Sequence, residues 1–324
     1  MRLVYFGTPD FASRCLRRIL SSGHEVVAVV TAPDRPMGRG RKISHSAVKK
    51  LALTAGLEIL QPVKLKERSF LERLKSLRAD LFCVVAFRIL PEEVFAMPPK
   101  GSINLHASLL PRFRGAAPIN WALIKGEKET GVTTFFIRKK VDTGDMIVQE
   151  RIEIGPDETF GELHDRLAEL GGEVIVKTLD LIESGDLRPS TQDENMASPA
   201  PKITSETGRI DWSQPADAIH NLVRGLSPMP AAYSLLKGKR MAILRTRPDF
   251  GGRASAEPGT IIEADPKSGI LVACGQGSIR ILQLKPESGR ILTGEEFVRG
   301  YRSQKGDSFA GTNAGFEAGG IVEH

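Results

Sequence analysis

Apolar and polar positions alternate along the first half of the chain in two rhythms. Short apolar runs at Leu3–Phe6, Glu25–Thr31, Glu58–Gln61, Asp80–Phe87 and Ser102–Leu105 predict strands. Between them, Phe11–Leu20, Ser46–Ala55 and Phe70–Leu77 carry apolar residues at helical spacing. That alternation predicts a mostly parallel sheet covered by helices. Two further extended runs, Gly131–Arg138 and Asp145–Ile154, flank a turn at Val141–Gly144 and are expected to pair antiparallel. Phe160, Leu163, Leu167, Leu170 and Ile175 then predict one long helix over Thr159–Ser184, stopped by Gly185.

From Arg188 to Lys202 the periodicity is lost and Pro, Ser, Thr, Asn and Gln dominate, which reads as a linker. Beyond it, Pro215–Leu226 is helical in pattern. Five short extended runs follow, at Ala232–Leu236, Met241–Arg247, Gly259–Glu263, Ile270–Ala273 and Ser278–Leu284. Such strands with Gly- and Pro-containing turns suggest a small closed barrel, one form of which is the oligonucleotide-binding (OB) barrel. Thr293-Gly294-Glu295-Glu296 fits a capping box that opens a last helix. The Gly- and Ala-rich end, from Gly306, is expected to be loose. The pattern thus divides the chain into an α/β domain (1–187), a linker (188–204), an OB-like β domain (205–310) and a flexible tail (311–324).

At 324 residues the chain exceeds a usual single core, in keeping with two domains. With 41% hydrophobic and 26% charged residues it has the composition of an ordinary globular protein. The best apolar run, Leu81–Phe87, suits a buried strand and not a membrane span. Met1 leads straight into a strand-like segment, so no signal peptide is expected. Cys15, Cys83 and Cys274 are scattered; neither a disulfide framework nor a zinc site is expected, and a reducing cytoplasm fits best. Of more interest is where the formal charge of +6 sits. Between Asp34 and Lys50, six basic side chains (Arg35, Arg39, Arg41, Lys42, Lys49 and Lys50) face the single acid Asp34. Clustered bases of this kind can neutralise phosphates, although an isolated basic run is more often a solvated loop.

Three constellations carry candidate chemistry. In Asn104-Leu105-His106-Ala107-Ser108-Leu109-Leu110-Pro111, Asn104 and His106 alternate with apolar neighbours at the end of a predicted parallel strand, so their side chains point the same way. Ligands of open α/β sheets bind beyond the carboxyl ends of the strands. An amide there can donate to a developing oxyanion, and an imidazole can carry a proton near neutral pH. By itself the triplet also fits a polar strand end. The second constellation, Val141-Asp142-Thr143-Gly144-Asp145, supplies a carboxylate able to reach back to His106; alone it reads as turn chemistry. The third is the basic loop Pro33–Lys42, on the same edge of the sheet. Other classes fall away. The first strand-to-helix turn, Phe6-Gly7-Thr8-Pro9-Asp10-Phe11, has one glycine where dinucleotide enzymes need three. A single Asp-Thr-Gly lacks the second copy an aspartic protease requires. His24, His45, His164 and His220 show no metal spacing, and no metal is expected.

Taken together, these residues resemble the folate-dependent formyltransferase family. The resemblance runs through Phe6–Phe11, Pro33–Lys42, Ser102–Asn120, Thr130–Thr133, Asp142–Asp145 and Gly208-Arg209-Ile210-Asp211-Trp212 to the barrel strands. It implies a Rossmann-like formyl-transfer domain, 10-formyltetrahydrofolate as one-carbon donor, and a C-terminal domain that contacts tRNA. Carried over, Asn104, His106 and Asp142 are the catalytic set. The folate would lie against Ser108, Leu109, Leu110 and Pro111, and against the backbone of Ala86, Phe87, Arg88, Ile89 and Leu90. That last loop is one residue shorter than the commoner pattern and has Arg88 where a glycine is frequent. The family's basic loop maps onto Pro36–Lys42, with Arg39, Arg41 and Lys42 as the tRNA contacts. The acceptor implied is the methionine amine of initiator Met-tRNA, in a cytoplasmic, non-membrane protein expected to be a monomer. Two rivals stand beside it. A sugar-nucleotide N-formyltransferase shares the Asn–His–Asp core, and Arg88 leans toward it. Against it stand the basic loop and the segments Lys237-Gly238-Lys239-Arg240 and Arg245-Thr246-Arg247. A non-catalytic RNA-binding protein on this scaffold is expected to have lost one of the three polar residues, and all are present.

Overall fold

A computed structural model describes residues 1–37, 42–251 and 256–309. The chain divides into two compact units. The first comprises Met1–Ala122, Glu127–Pro156 and Glu162–Lys202; the second comprises Leu123–Gly126, Asp157–Gly161 and Ile203–His324.

The first unit opens with β1 (Arg2–Gly7), α1 (Asp10–Leu20), β2 (Glu25–Val30), the hairpin β3 (Arg35–Met37) and β4 (Lys42–Ser44), α2 (Ala47–Thr54) and β5 (Ile59–Leu60). It continues with α3 (Arg68–Ser76), β6 (Leu81–Val85), α4 (Glu92–Phe95), β7 (Ser102–His106), β8 (Arg114–Gly115), α5 (Pro118–Ile124), β9 (Glu129–Phe136), β10 (Met146–Glu153), α6 (Phe160–Ser184) and β11 (Pro199–Ala200). Seven strands form one sheet in the order β10-β9-β7-β6-β1-β2-β5. The pairs β5–β2, β2–β1, β1–β6 and β6–β7 are parallel, whereas β9 and β10 close that edge antiparallel. Strand alternation sends Val4, Phe6, Ala28, Val30, Phe82 and Val84 to one face, where they pack with Phe70, Leu74 and Val94 of α3 and α4. On the other face, a methyl group on Gly171 of α6 would lie 2.6 Å from the Leu105 side chain, so the helix and the sheet meet closely there. Each fully buried Leu, Val or Phe is worth about 1.5–3 kcal/mol, which makes this sheet a stiff platform for the ends of its strands.

Two departures from the sequence pattern matter for the site. The connection between β9 and β10 contains the expected turn, at Val141 and Asp142, but is longer than that turn. Strand β9 ends with Phe136 opposite Ile103, at the amino end of β7, while His106 lies opposite Thr133. The chain between Phe136 and Met146 therefore runs back along β7, a distance of about 10 Å for three strand residues. Gly144 makes this possible: a methyl group on it would sit 1.6 Å from the Phe136 carbonyl oxygen. The second departure is the expected linker at 188–204. Composition there signals no helix or strand, yet through residue 202 it belongs to the first unit. Its β11 pairs in parallel with β8, and Ser190 exchanges backbone hydrogen bonds with Met146 at 2.8 and 2.9 Å.

The second unit contains α7 (Ala216–Leu226), the strands β12 (Ala232–Leu236), β13 (Lys239–Asp249), β14 (Ile261–Asp265), β15 (Gly269–Ala273), β16 (Ser278–Pro286) and β17 (Leu292–Thr293), and α8 (Gly294–Tyr301). The strands form an antiparallel sheet in the order β12-β13-β16-β15-β14, with β17 on β16. Among the described residues the ladders run from β12 to β14 without one that joins those two strands, so the antiparallel β domain expected is present and the closure of its barrel is not shown by the strand pairings. Thr293 and Glu296 form the reciprocal capping box. The chain does not loosen at Gly306: the Gly306 and Phe309 N–H groups bond to the Ile261 and Gly259 carbonyls, and Phe309 is buried beside Trp212. Its aromatic ring supplies the apolar burial that the Gly-rich composition around it conceals. The expected tail, 311–324, lies outside the described residues. Among the described residues no helix is long and apolar enough to cross a membrane.

The basic loop is held at its root. Asp34 accepts from Lys49 Nζ at 2.5 Å and from Gln61 Nε2 at 3.0 Å, and its other contact is His45 Nδ1 at 3.1 Å. The Lys49 ammonium, then the Gln61 amide, hold the Asp34 carboxyl at about 2. A carboxyl depressed in the folded state contributes stability that is complete above its ordinary value, about 3.9, and is lost as pH falls through 2. Asp34→Asn should therefore unfold at lower temperature than the parent at pH 5–7, and the two melting curves should converge near pH 2. For Gly144→Ala a destabilisation of about 1–3 kcal/mol or more is expected from overpacking. Gly300→Ala, in α8 with open space around it, should instead gain about 0.5–1 kcal/mol. Denaturant titration of the two variants checks both.

Candidate active site

The carboxyl ends of β1, β6 and β7 lie side by side, with Gly7 opposite Val85 and Val84 opposite Asn104. The strand order reverses direction between β1 and β6, the topological position where ligands of open α/β sheets bind. Asn104 and His106, two residues apart on β7, share a face; Asn104 is half-buried and His106 buried. From the loop between β9 and β10 comes Asp142, also buried, whose Oδ2 stands 3.8 Å from His106 Nδ1. The strand that carries Asn104 and His106 and the loop that carries Asp142 thus bring an imidazole and a carboxylate face to face.

Sequence reasoning gave Asp142 the task of orienting the ring, but at 3.8 Å it is beyond hydrogen-bond distance. The orienting partner is one the sequence did not reveal. His106 Nε2 lies 2.8 Å from the Phe113 carbonyl oxygen. A carbonyl can only accept, so Nε2 carries the ring proton, and in the neutral ring the lone pair is on Nδ1, facing Asp142. Phe113 presents that carbonyl from a left-handed conformation (φ 59°), and Asp142 is left-handed as well (φ 55°). Such residues cost on the order of 1–3 kcal/mol each and persist where surrounding contacts hold them. Asp142 Oδ2 accepts from the Gly115 N–H at 2.9 Å. Only glycine fits there: φ is +124°, and a methyl group would lie 2.7 Å from the Ala200 carbonyl oxygen. Gln192, from the segment that read as a linker, donates to the Asp142 and Gly144 carbonyls at 2.9 and 2.8 Å. A lone Gln in a Pro/Ser/Thr-rich stretch carries no signal for this, whereas the Arg114-Gly115 pair could have been read as a special turn.

The remaining expected residues are distributed as follows. Ser108 is fully buried and donates to the Arg112 carbonyl at 2.6 Å; Leu110 is buried, and Leu109 and Pro111 are half-buried. The Ser108 carbonyl and the Leu110 N–H both bond to the Thr133 hydroxyl, which ties this loop to β9. After β6, Ala86 is exposed and left-handed (φ 45°), Phe87 is half-buried, Leu90 is buried, and Ile89 is 74% exposed. Val63, in the adjacent chain segment, is 72% exposed. Two apolar side chains in water beside the strand ends suit a flat, partly apolar ligand. Arg88 donates to the Pro62 and Val63 carbonyls at 2.8 and 3.0 Å. It ties this loop to the adjacent segment. Arg39 and Arg41 lie outside the described residues, and Lys42 pairs with Met37 at the end of the β3–β4 hairpin. In the second unit Lys237 is paired with Asp307 at 2.8 Å and Arg240 stacks on the Tyr233 ring, while Lys239 and Arg247 are exposed.

Comparison with known proteins sets this geometry in a lineage. The family model described as Formyl transferase matches residues 1–179, and Formyl transferase, C-terminal domain, matches residues 202–302. A methionyl-tRNA formyltransferase of Caldanaerobacter subterraneus subsp. tengcongensis is 44% identical over 310 residues, covering 94% of this chain and 99% of that protein. One of Geobacter sulfurreducens is 45% identical over 307 residues, covering 94% and 96%. Among solved structures, HypX from Aquifex aeolicus in complex with tetrahydrofolic acid matches with a TM-score of 0.64 at 19% identity, over 93% of this chain and 48% of that one. The N-formyltransferase from Helicobacter canadensis, in complex with folinic acid and dTDP-3-aminofucose, gives 0.66 at 20%, over 86% and 98%. Those two likenesses speak for the fold; identity along almost the whole length of the first two speaks for more. The chain belongs to the formyl transferase family.

Proposed function

We propose that this protein transfers a formyl group from 10-formyltetrahydrofolate to the amino group of methionine on initiator Met-tRNA, in the cytoplasm at the start of translation. The observation that carries the reading is the meeting of His106 and Asp142 beside Asn104 at the carboxyl edge of the sheet. Full-length relatives at 44–45% identity that bear the methionyl-tRNA formyltransferase name support the acceptor. The sugar-nucleotide alternative rests on likenesses at about 20% identity, and the Arg88 that leaned toward it is occupied with backbone carbonyls.

In the proposed reaction the folate lies across Ala86–Leu90 and Ser108–Pro111, its apolar face against Ile89, and brings the formyl carbon to the end of β7. The methionine amine, in its neutral form, bonds to that carbon while negative charge gathers on the formyl oxygen. The Asn104 amide donates to that oxygen, where charge develops in the transition state. His106 Nδ1 takes the proton released by the amine, and the imidazolium so formed faces the Asp142 carboxylate. As the carbon–nitrogen bond to the folate breaks, the proton passes to the departing nitrogen, so the enzyme ends as it began. The loop carrying Arg39, Arg41 and Lys42, with exposed bases of the second unit such as Lys239 and Arg247, contacts tRNA phosphates.

One assay tests the reading: formyl transfer to charged initiator tRNA, charged elongator methionine tRNA and an amino-sugar nucleotide in parallel. Initiator Met-tRNA should be the fastest acceptor by a wide margin, and faster transfer to the sugar nucleotide would overturn the assignment. In the same assay Asn104→Ala should lower kcat by about 10²–10³ with folate binding kept, the usual cost of one oxyanion donor.

A further inference from the structure

The ladder of β7 and β9 cannot by itself bring Asp142 to His106. After Phe136 the chain leaves the sheet at the wrong end of β7 and returns over residues that have no strand partner until Met146. Something outside the sheet must fix where that return ends. The short segment from Ser190 to Ala200 bonds to Asp142 directly and to the backbone that holds His106. On the Asp142 side, the buried Gln192 amide spends its donors on the carbonyls of Asp142 and Gly144. Its own oxygen accepts from Arg114 Nε and Nη2 at 3.1 and 2.7 Å. Glu194 pairs with the same guanidinium at 2.8 Å and with Lys140 Nζ at 3.4 Å. On the His106 side, Ser198 accepts from the Phe113 N–H at 2.9 Å through its hydroxyl and from the Arg114 N–H at 2.8 Å through its carbonyl. Phe113 is the residue whose carbonyl holds His106 Nε2, and Arg114 precedes the Gly115 that holds the Asp142 carboxylate.

We infer that Ser190–Ala200 is a brace that sets the His106–Asp142 separation, with Gln192 as its positioning residue. The inference rests on the formyl-transfer reading for its kinetic consequence, though not for its geometry. Two carbonyls two residues apart in a loop lacking a ladder need a donor with two N–H bonds directed at both. Glutamine supplies them; glutamate, of the same length, supplies none and places negative charge against both oxygens. Asparagine is one methylene short of either. Without the clamp, the left-handed Asp142 is free to relax toward a commoner backbone conformation and carry its carboxylate away from Nδ1. A displacement of about 1 Å in a reacting group can cost on the order of a hundredfold in rate.

The test compares Gln192→Ala and Gln192→Glu in the full-length protein with Leu74→Ala. The last removes a core side chain of α3, outside the brace, and serves as a control of lowered stability. Both Gln192 variants should lose about 10–100-fold in kcat, with KM for Met-tRNA within twofold of the parent and an altered pH profile of kcat. Leu74→Ala, assayed well below its melting midpoint, should keep kcat and the profile. In NMR spectra without any acceptor, the His106 ring resonances of both Gln192 variants should be displaced from those of the parent, and those of Leu74→Ala should not. Unchanged kcat and unchanged His106 ring resonances in the Gln192 variants would overturn the inference. So would a loss of kcat matched by Leu74→Ala. Failure of the parent to use Met-tRNA would sink the acceptor assignment instead, and the acceptor-free spectra would still decide the role of Gln192.

Discussion

The hydrogen bond from His106 Nε2 to the Phe113 carbonyl decides what the rest of the site can do. Because a carbonyl has no proton to give, this bond assigns the tautomer: one ring nitrogen is a fixed donor and the other is left with a lone pair. That lone pair faces a buried carboxylate across 3.8 Å. The imidazole is therefore prepared to receive a proton on the side where the resulting charge has a counter-ion. The chemistry needs such a group only transiently, and the strand end holds it in place before any substrate arrives.

Each side of this arrangement has its own mechanical support. The sheet, packed on α3 and α4, fixes Asn104 and His106 through their strand. No such ladder reaches Asp142, whose loop doubles back past Gly144 and is caught by Gly115 and Gln192. The strained conformations at Phe113 and Asp142 fall where these supports converge, as expected of a site whose geometry is imposed by its surroundings. The basic loop follows the same logic at its root. Its one acid, Asp34, is engaged by Lys49, Gln61 and His45 at the base of the loop.

Much of this was legible in the sequence because it depends on local periodicity. The strands of the parallel sheet, the long helix and the capping box at Thr293 follow from spacing, and the shared face of Asn104 and His106 follows from the period of a strand. What escaped depends on contacts distant in sequence. Gln192 sits in a stretch whose composition signals only irregularity, yet its hydrogen bonds span 48 and 50 residues. A motif cannot tell a short turn from a loop that runs back along a strand, so Asp142 was seen as the partner of the His106 ring and the Phe113 carbonyl on its other side was missed. Barrel closure was inferred from strand count and spacing, neither of which fixes whether edge strands pair. Phe309 was hidden by the glycines around it, although one buried ring is enough to anchor a chain end.

The most direct measurement is the tautomer of His106, read from its imidazole ¹⁵N shifts in the free protein above the pH at which the ring titrates. The account predicts a neutral ring with the proton on Nε2, and on acidification the second proton arriving at Nδ1. A neutral ring with its proton on Nδ1 would contradict it, because Asp142 would then be the orienting acceptor and no lone pair would remain on that side to receive the proton of the attacking amine.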